Sequence, residues 1–225
     1  MIDSSTGLYC IFGSPVRHSL SPLMHNAAFS ECGINAVYLA FEPSSVDHAV
    51  DSIRSLPISG ASITIPFKTA VIPFLDRIDP LAGEIGAVNT IRNSNGILEG
   101  FNTDGMGALG AIEEFSGSIH GKKVLILGTG GSSRAIAFTL LSKGAVVTIA
   151  GRQGDSRKNL LADLRRNHNS INEIDITALD RESVHCHEII INTTPLGMGS
   201  SDSAPINTDL IIPDHTVFDI VYHPH

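Results

Sequence analysis

The chain has no tryptophan, three tyrosines and only 5% aromatic residues. Base is scarcer than acid: 15 Lys and Arg stand against 23 Asp and Glu, a formal net charge of −8. A nucleic-acid binder needs positive charge for phosphates and rings for bases, so that class is not expected. Long apolar runs are also missing. The longest resemble Val124–Leu127, far short of the roughly 18 residues of a membrane helix. The opening MIDSSTGLYCIFG has no basic head and no long apolar middle, so no secretory leader is expected. Cys10, Cys32 and Cys186 are odd in number and share no paired spacing. They fit free thiols in a reducing cytoplasm better than a disulfide framework.

What is present suffices for one large or two small domains. There are 225 residues, 42% hydrophobic and 17% charged, a composition that excludes long disorder. No repeat or low-complexity tract is visible. In the first half, Leu8–Phe12, Ala36–Phe41 and Gly60–Ile65 read as strands. Ser21-Pro22 reads as a helix start with Ser21 as N-cap, and Gly33 as its stop. Val46, Ala49, Val50 and Ile53 mark an amphipathic helix. Ala87–Ile91 and Ile97–Glu99 are expected to pair across the turn Asn93–Gly96.

The second half alternates more clearly. Lys123–Leu127 is an apolar run, followed by the glycine turn Gly128-Thr129-Gly130-Gly131, a helical run Arg134–Lys143 and the apolar run Ala145–Ala150. That order is a βαβ unit. Helix-like Leu160–Arg166 and strand-like Ile174–Ile176, Glu188–Asn192 and Thr216–Ile220 follow. The pattern predicts an α/β fold with a parallel sheet. The Gly-rich segment DGMGALGAI suggests a domain boundary within 104–120.

The glycine turn has the context of a dinucleotide site, since it leaves a strand and opens a helix. Gly128 would permit the tight turn and Gly130 the close approach of a pyrophosphate, with Ser133 in place of a third glycine. A purely structural turn is the alternative. An NAD site usually has an acid at the end of the next strand. Here Arg152 stands there, suited to a 2′-phosphate, with Arg157 or Lys158 in support, so NADP is favoured over NAD. The alternative is that Arg152 only ends the strand. Five of the basic residues lie within 152–166, which fits either an anion site or a solvated helix face.

Lys68 and Asp104 each sit where a strand ends and a loop opens. A lysine beside an aspartate can move a proton at a substrate oxygen. Taken singly, they could equally be a surface lysine and an Asx turn. Ser19 and Ser21 could offer hydroxyls to a carboxylate, or Ser21 could simply cap its helix. His185-Cys186-His187 precedes the run EIII and has no second ligand cluster at a zinc spacing, so no metal site is expected. His223 and His225 are expected in solvent.

Several motifs in one order resemble the shikimate dehydrogenase family. They are GSPVRHSLSPLMHN, SITIPFK, GAVNTI, GFNTDG, GTGGSSRA, INTTPLGM and DIVYHP, spanning about Tyr9 to Tyr222. The resemblance implies an α/β substrate domain at 1–103 and a Rossmann-like NADP-binding domain at 104–225. The implied reaction is hydride transfer between NADP and shikimate, interconverting it with 3-dehydroshikimate in aromatic amino-acid biosynthesis. It makes Lys68 and Asp104 the catalytic pair, and Ser19, Ser21, Thr64, Asn89 and Tyr222 the substrate ligands. Gly128, Thr129, Gly130, Gly131 and Ser132 would hold the pyrophosphate and Arg152 the 2′-phosphate. Thr193 and Ile220 would lie near the cofactor, Ile220 beside the nicotinamide.

Two departures from the family pattern bear on these expectations. The family often has Asn-Arg-Thr where this chain has Gly151-Arg152-Gln153, and the next basic residue is displaced by about one position. Family members also continue past the DxVY motif into helices that return to the first domain. With the chain ending at His225, that segment is expected to be lacking and turnover to be weak or absent, with NADP binding surviving. An NAD-using quinate or shikimate dehydrogenase and a non-catalytic binding homologue are the competing expectations. The expected partner is the small-molecule substrate, with a homodimer as an open option and neither nucleic acid nor membrane.

Overall fold

A computed structural model describes residues 2–168, 171–197 and 204–221. The chain divides into two compact units, Met1–Thr103 and Asp104–His225. In the first unit the elements run β1 (Gly7–Phe12), α1 (Ser21–Glu31), β2 (Ala36–Phe41), α2 (Val46–Ser55), β3 (Ile58–Ile63) and α3 (Phe67–Ala70). They continue with β4 (Arg77–Ile78), α4 (Pro80–Ile85), β5 (Thr90–Ser94) and β6 (Ile97–Phe101). The sheet order is β2-β1-β3-β5-β6-β4. It is mixed: β2, β1 and β3 are parallel, and β5 runs antiparallel to both β3 and β6. The β5–β6 hairpin turns at Asn95 and Gly96, both with positive φ (53° and 86°), the geometry a two-residue hairpin turn requires. Ala49, Val50 and Ile53 of α2 bury one helix face against Cys10, Phe12, Ile58 and Ile91 of the sheet core.

Two expectations for this half shift in the structure. The strand expected at Gly60–Ile65 is β3, two residues earlier at each end. The residue ahead of α1 is Leu20, and Ser21 is already helical. Ser21 therefore does not cap; instead its N–H donates to Ser19 Oγ at 3.2 Å. Asn26 ties the helix to β2 through bonds from Asn26 Nδ2 to Tyr38 O and from Tyr38 N–H to Asn26 Oδ1, both 2.8 Å.

The second unit contains α5 (Asp104–Ser116), β7 (Lys123–Leu127), α6 (Gly131–Ser142), β8 (Val146–Gly151), α7 (Asp155–Asn167), β9 (Ile171–Asp175), α8 (Arg181–His185), β10 (Ile189–Asn192) and β11 (Thr216–Asp219). All pairings are parallel, in the order β11-β10-β7-β8-β9. The glycine-rich segment read as a boundary is helical from Asp104 onward. Its glycines permit contact: a Cβ on Gly105 would lie 2.0 Å from Thr139 Oγ1 and 2.5 Å from Ala135 O of α6. Residues of β7 and β10 are buried from Val124 to Leu127 and from Ile189 to Ile191, as a central parallel strand pair should be. Among the described residues, no helix is long and apolar enough to cross a membrane.

Candidate active site

In the second unit the strand order reverses between β7 and β10, and ligands of open parallel sheets bind beyond the strand ends at such a point. The chain leaves β7 through Gly128, whose φ of 116° suits only glycine. A Cβ there would also lie 2.6 Å from Thr193 Oγ1. Thr193 is buried and ties the end of β10 to β7: its N–H and its Oγ1 both donate to Leu127 O, at 2.9 and 2.6 Å. Ser133 closes the turn from the helix side, donating to Gly128 O at 2.8 Å. The residue that replaces a third glycine thus adds a bond as well as being small.

Gly130 and Gly131 are exposed, and a Cβ on either would meet nothing within 4 Å. Gly130 is the N-cap of α6 and gives no side-chain bond to it. The start of this 12-residue helix thus has no side-chain cap, and no side chain at either glycine crowds it. An anionic group such as a pyrophosphate fits there, meeting both free donors and the positive end of the helix dipole. Thr129 and Ser132 stand half-buried in the same turn.

Arg152 follows the last residue of β8 and is exposed, as is Lys158. Arg157 is different: its side chain is only 14% exposed and faces Glu173 and Asp175. Its guanidinium is engaged within the unit, so the expected direct contact with a phosphate does not match its orientation. Ile220 lies just past β11, its N–H bonded to Asn192 O at 3.2 Å. One residue here escaped the sequence reading. Asn192 is buried, donates to Asp219 Oδ1 at 3.0 Å, and accepts from Thr194 N–H and Oγ1 at 2.9 and 2.7 Å. The available signal was an asparagine closing an all-isoleucine strand, a buried polar group that must find partners. Tyr222, His223 and His225 lie outside the described residues.

In the first unit, the neighbouring ends of β1 and β3 carry the candidate substrate residues. Thr64 N–H donates to Phe12 O at 2.9 Å, and Ile63 N–H to Asn89 O at 2.7 Å. Val88 N–H donates to Lys68 O at 2.8 Å. These bonds gather Thr64, Lys68 and Asn89 around one strand end. Lys68 is half-buried in the short α3. The Asn89 side chain is fixed: Nδ2 donates to Thr103 Oγ1 at 3.0 Å, and Oδ1 accepts from Thr103 N–H at 3.0 Å. Ser19 and Ser21 stand at the start of α1, which leaves the adjacent strand β1. Asp104 is half-buried and is the first residue of α5, in the second unit.

The histidine motif lies elsewhere. His187 precedes β10, with Nε2 2.8 Å from Thr148 Oγ1 and Nδ1 2.8 Å from Ser183 O. The carbonyl requires Nδ1–H, so Nε2 accepts from the threonine. Both nitrogens are committed to the protein, and burial first of all pushes the imidazole below its ordinary pKa. His185 and Cys186 are exposed. Among the described residues, no three His, Cys, Asp or Glu side chains group as metal ligands.

Comparison with known proteins matches residues 11–91 to the shikimate dehydrogenase substrate binding domain. The NADP(+) shikimate dehydrogenase of Methanosphaera stadtmanae is 42% identical over 231 residues, covering 100% of this chain and 81% of the relative. A solved shikimate dehydrogenase in complex with NADP+ superposes with a TM-score of 0.92 at 36% identity, covering 100% of this chain and 79% of the other. The Listeria monocytogenes enzyme, solved with shikimate and NAD, gives a TM-score of 0.91 at 32% identity over 99% of this chain and 81% of its own.

Proposed function

The chain belongs to the shikimate dehydrogenase family, and from that membership we infer that it catalyses the reversible NADP-dependent oxidation of shikimate to 3-dehydroshikimate. Names and bound ligands of its relatives support this substrate and cofactor. Gly128–Ser132 and the open start of α6 are assigned to the pyrophosphate, and Arg152 to the 2′-phosphate. Thr193 and Ile220 are assigned to the cofactor's surroundings, Ile220 beside the nicotinamide. When held there, NADP would supply the acceptor for the hydride leaving the carbon that carries the reacting hydroxyl. The chain's own residues bind, orient and move the proton. Lys68 and Asp104 are assigned to proton transfer at that hydroxyl oxygen.

Ser19, Ser21, Thr64, Asn89 and Tyr222 are assigned to the substrate. Ser19 Oγ accepts the Ser21 N–H, which leaves its own hydrogen to offer a carboxylate. Asn89 comes pre-oriented by Thr103, so little side-chain entropy remains to be lost on binding. The free thiols Cys10, Cys32 and Cys186 support a cytoplasmic location. Asn26 of α1 already takes the Tyr38 backbone on the outer side of β2, so a homodimer would use another face, which light scattering on the purified chain would test.

One observation carries the cofactor assignment: a glycine turn at the switch point opens onto an uncapped helix start, and the residue after the next strand is arginine, with no acid there. Steady-state kinetics test the whole. Lys68→Ala should lower kcat by roughly 10²–10⁴-fold, the range for a positioned acid–base group, with little change in shikimate KM. Turnover within a few-fold of the parent would remove Lys68 from the proton-transfer role.

A further inference from the structure

The three residues between β8 and α7, Arg152, Gln153 and Gly154, are anchored by side chains from the first turn of α7. Arg157 is the firmer anchor. Its Nη1 donates to Gly151 O at 2.9 Å and to Ile174 O at 3.2 Å. These carbonyls stand at the ends of neighbouring parallel strands, where Ala150 is opposite Ile174 and Gly151 opposite Asp175. Past that point the ladder supplies no donor, and a buried carbonyl needs one. Glu173 Oε2 lies 3.7 Å from Nε and Asp175 Oδ2 3.9 Å from Nη1, so the charge of the guanidinium is answered inside the unit.

Ser156 is the second anchor. Its Oγ donates to Thr129 O at 2.9 Å and lies 3.1 Å from Thr129 Oγ1. Thr129 belongs to the glycine turn, so this contact ties the two loops assigned to the cofactor. Gly151 lets them meet: a Cβ there would lie 2.4 Å from Thr129 Cγ2.

A guanidinium whose Nη1 serves two carbonyls, and whose charge two nearby carboxylates answer, is poorly placed to take a phosphate. Arg152, exposed at the head of the same turn, is better placed. We propose that Arg157 is a positioning residue for NADP: it does not touch the cofactor, but holds Gly151 and the start of α7 so that Arg152 meets the 2′-phosphate. The proposal rests on the assignment of Arg152 made above. Its physical basis is preorganisation. A turn already fixed at both ends loses little freedom when the phosphate arrives, and a loosened one must be ordered at the expense of affinity.

Calorimetric titration of NADP+ and NAD+, without shikimate, tests this on the parent, Arg152→Ala, Arg157→Ala and the double variant. Arg157→Ala should weaken NADP+ about 10-fold, the effect of one anchoring bond, and leave NAD+ within about twofold. In the Arg152→Ala background the same change should have no further effect on NADP+. Arg157→Lys keeps the charge but not the two-carbonyl fork. It should lose nearly as much as the alanine variant, and it carries the comparison if the alanine variant does not fold. An undiminished loss in the Arg152→Ala background would mean direct contact with the phosphate and overturn the proposal. Equal losses for both cofactors would mean general support of the fold and also overturn it. If Arg152→Ala shifts the NADP+/NAD+ ratio while both Arg157 variants do not, only the positioning role fails. If Arg152→Ala leaves that ratio unchanged, the assignment of Arg152 fails, and this proposal with it.

Discussion

Five positions separate Arg152 from Arg157, and one residue type takes two different environments. Nothing local in the sequence distinguishes them. The difference comes from the β8–β9 register, which brings Glu173, Asp175 and two unmatched carbonyls to the spot where the first turn of α7 delivers Arg157. Gly128 was legible because a strand–glycine–helix order admits few alternatives. Its companion Thr193, 65 positions later, lies over it only through the pairing of β10 with β7. Arg152→Ala should weaken NADP by roughly 10–100-fold, the contribution of a charge-assisted phosphate contact, and leave NAD nearly unchanged. KM values for both cofactors check this. The cysteines allow a simpler test. Burial pushes the Cys10 thiol up to about 12, while Cys32 and Cys186 are exposed. Ellman's reagent at neutral pH should titrate those two promptly, and Cys10 only after denaturation.

At the scale of elements, the short apolar runs and glycine stops located most strands and the helices α1, α2, α6 and α7, with boundaries moved by a few residues, whereas α3, β4, α4, α5 and α8 went unread. Glycines in DGMGALGAI argue against a helix on propensity alone, yet α5 forms because Gly105 lets it approach α6 closely. That is a tertiary contact no local pattern contains. Ser21 looked like a cap because serine favours that position; the turn instead begins one residue earlier and Ser19 takes the bond. Gly105→Ala should destabilise by about 1–3 kcal/mol, since the new methyl meets helix backbone as well as a side chain. Gly107 and Gly110 lie in the same helix with nothing within 4 Å of an added Cβ. Alanine at either should stabilise by up to about 1 kcal/mol through helix propensity. Denaturant unfolding of the three variants checks both signs, and a stabilising Gly105→Ala would refute the close packing of α5 on α6.

At the scale of the whole molecule, acid should weaken the second unit. His187 and His215 both sit below their ordinary pKa, each chiefly through burial. A histidine with a depressed folded pKa favours folding in its neutral form. Its contribution is therefore complete above the unfolded value of about 6.5 and is lost as pH falls through the folded value. Thermal unfolding should show the midpoint dropping between neutral pH and mildly acidic buffer. His187→Phe, which removes one of the two groups, should flatten that dependence.

The most direct test of the assigned chemistry is the formation of reduced nicotinamide by the purified chain, followed by absorbance with and without shikimate, using NADP and NAD in parallel. Shikimate-dependent reduction of NADP, faster than that of NAD and lost in Lys68→Ala, is the predicted result. A chain that reduces NADP no faster with shikimate than without it would contradict the account.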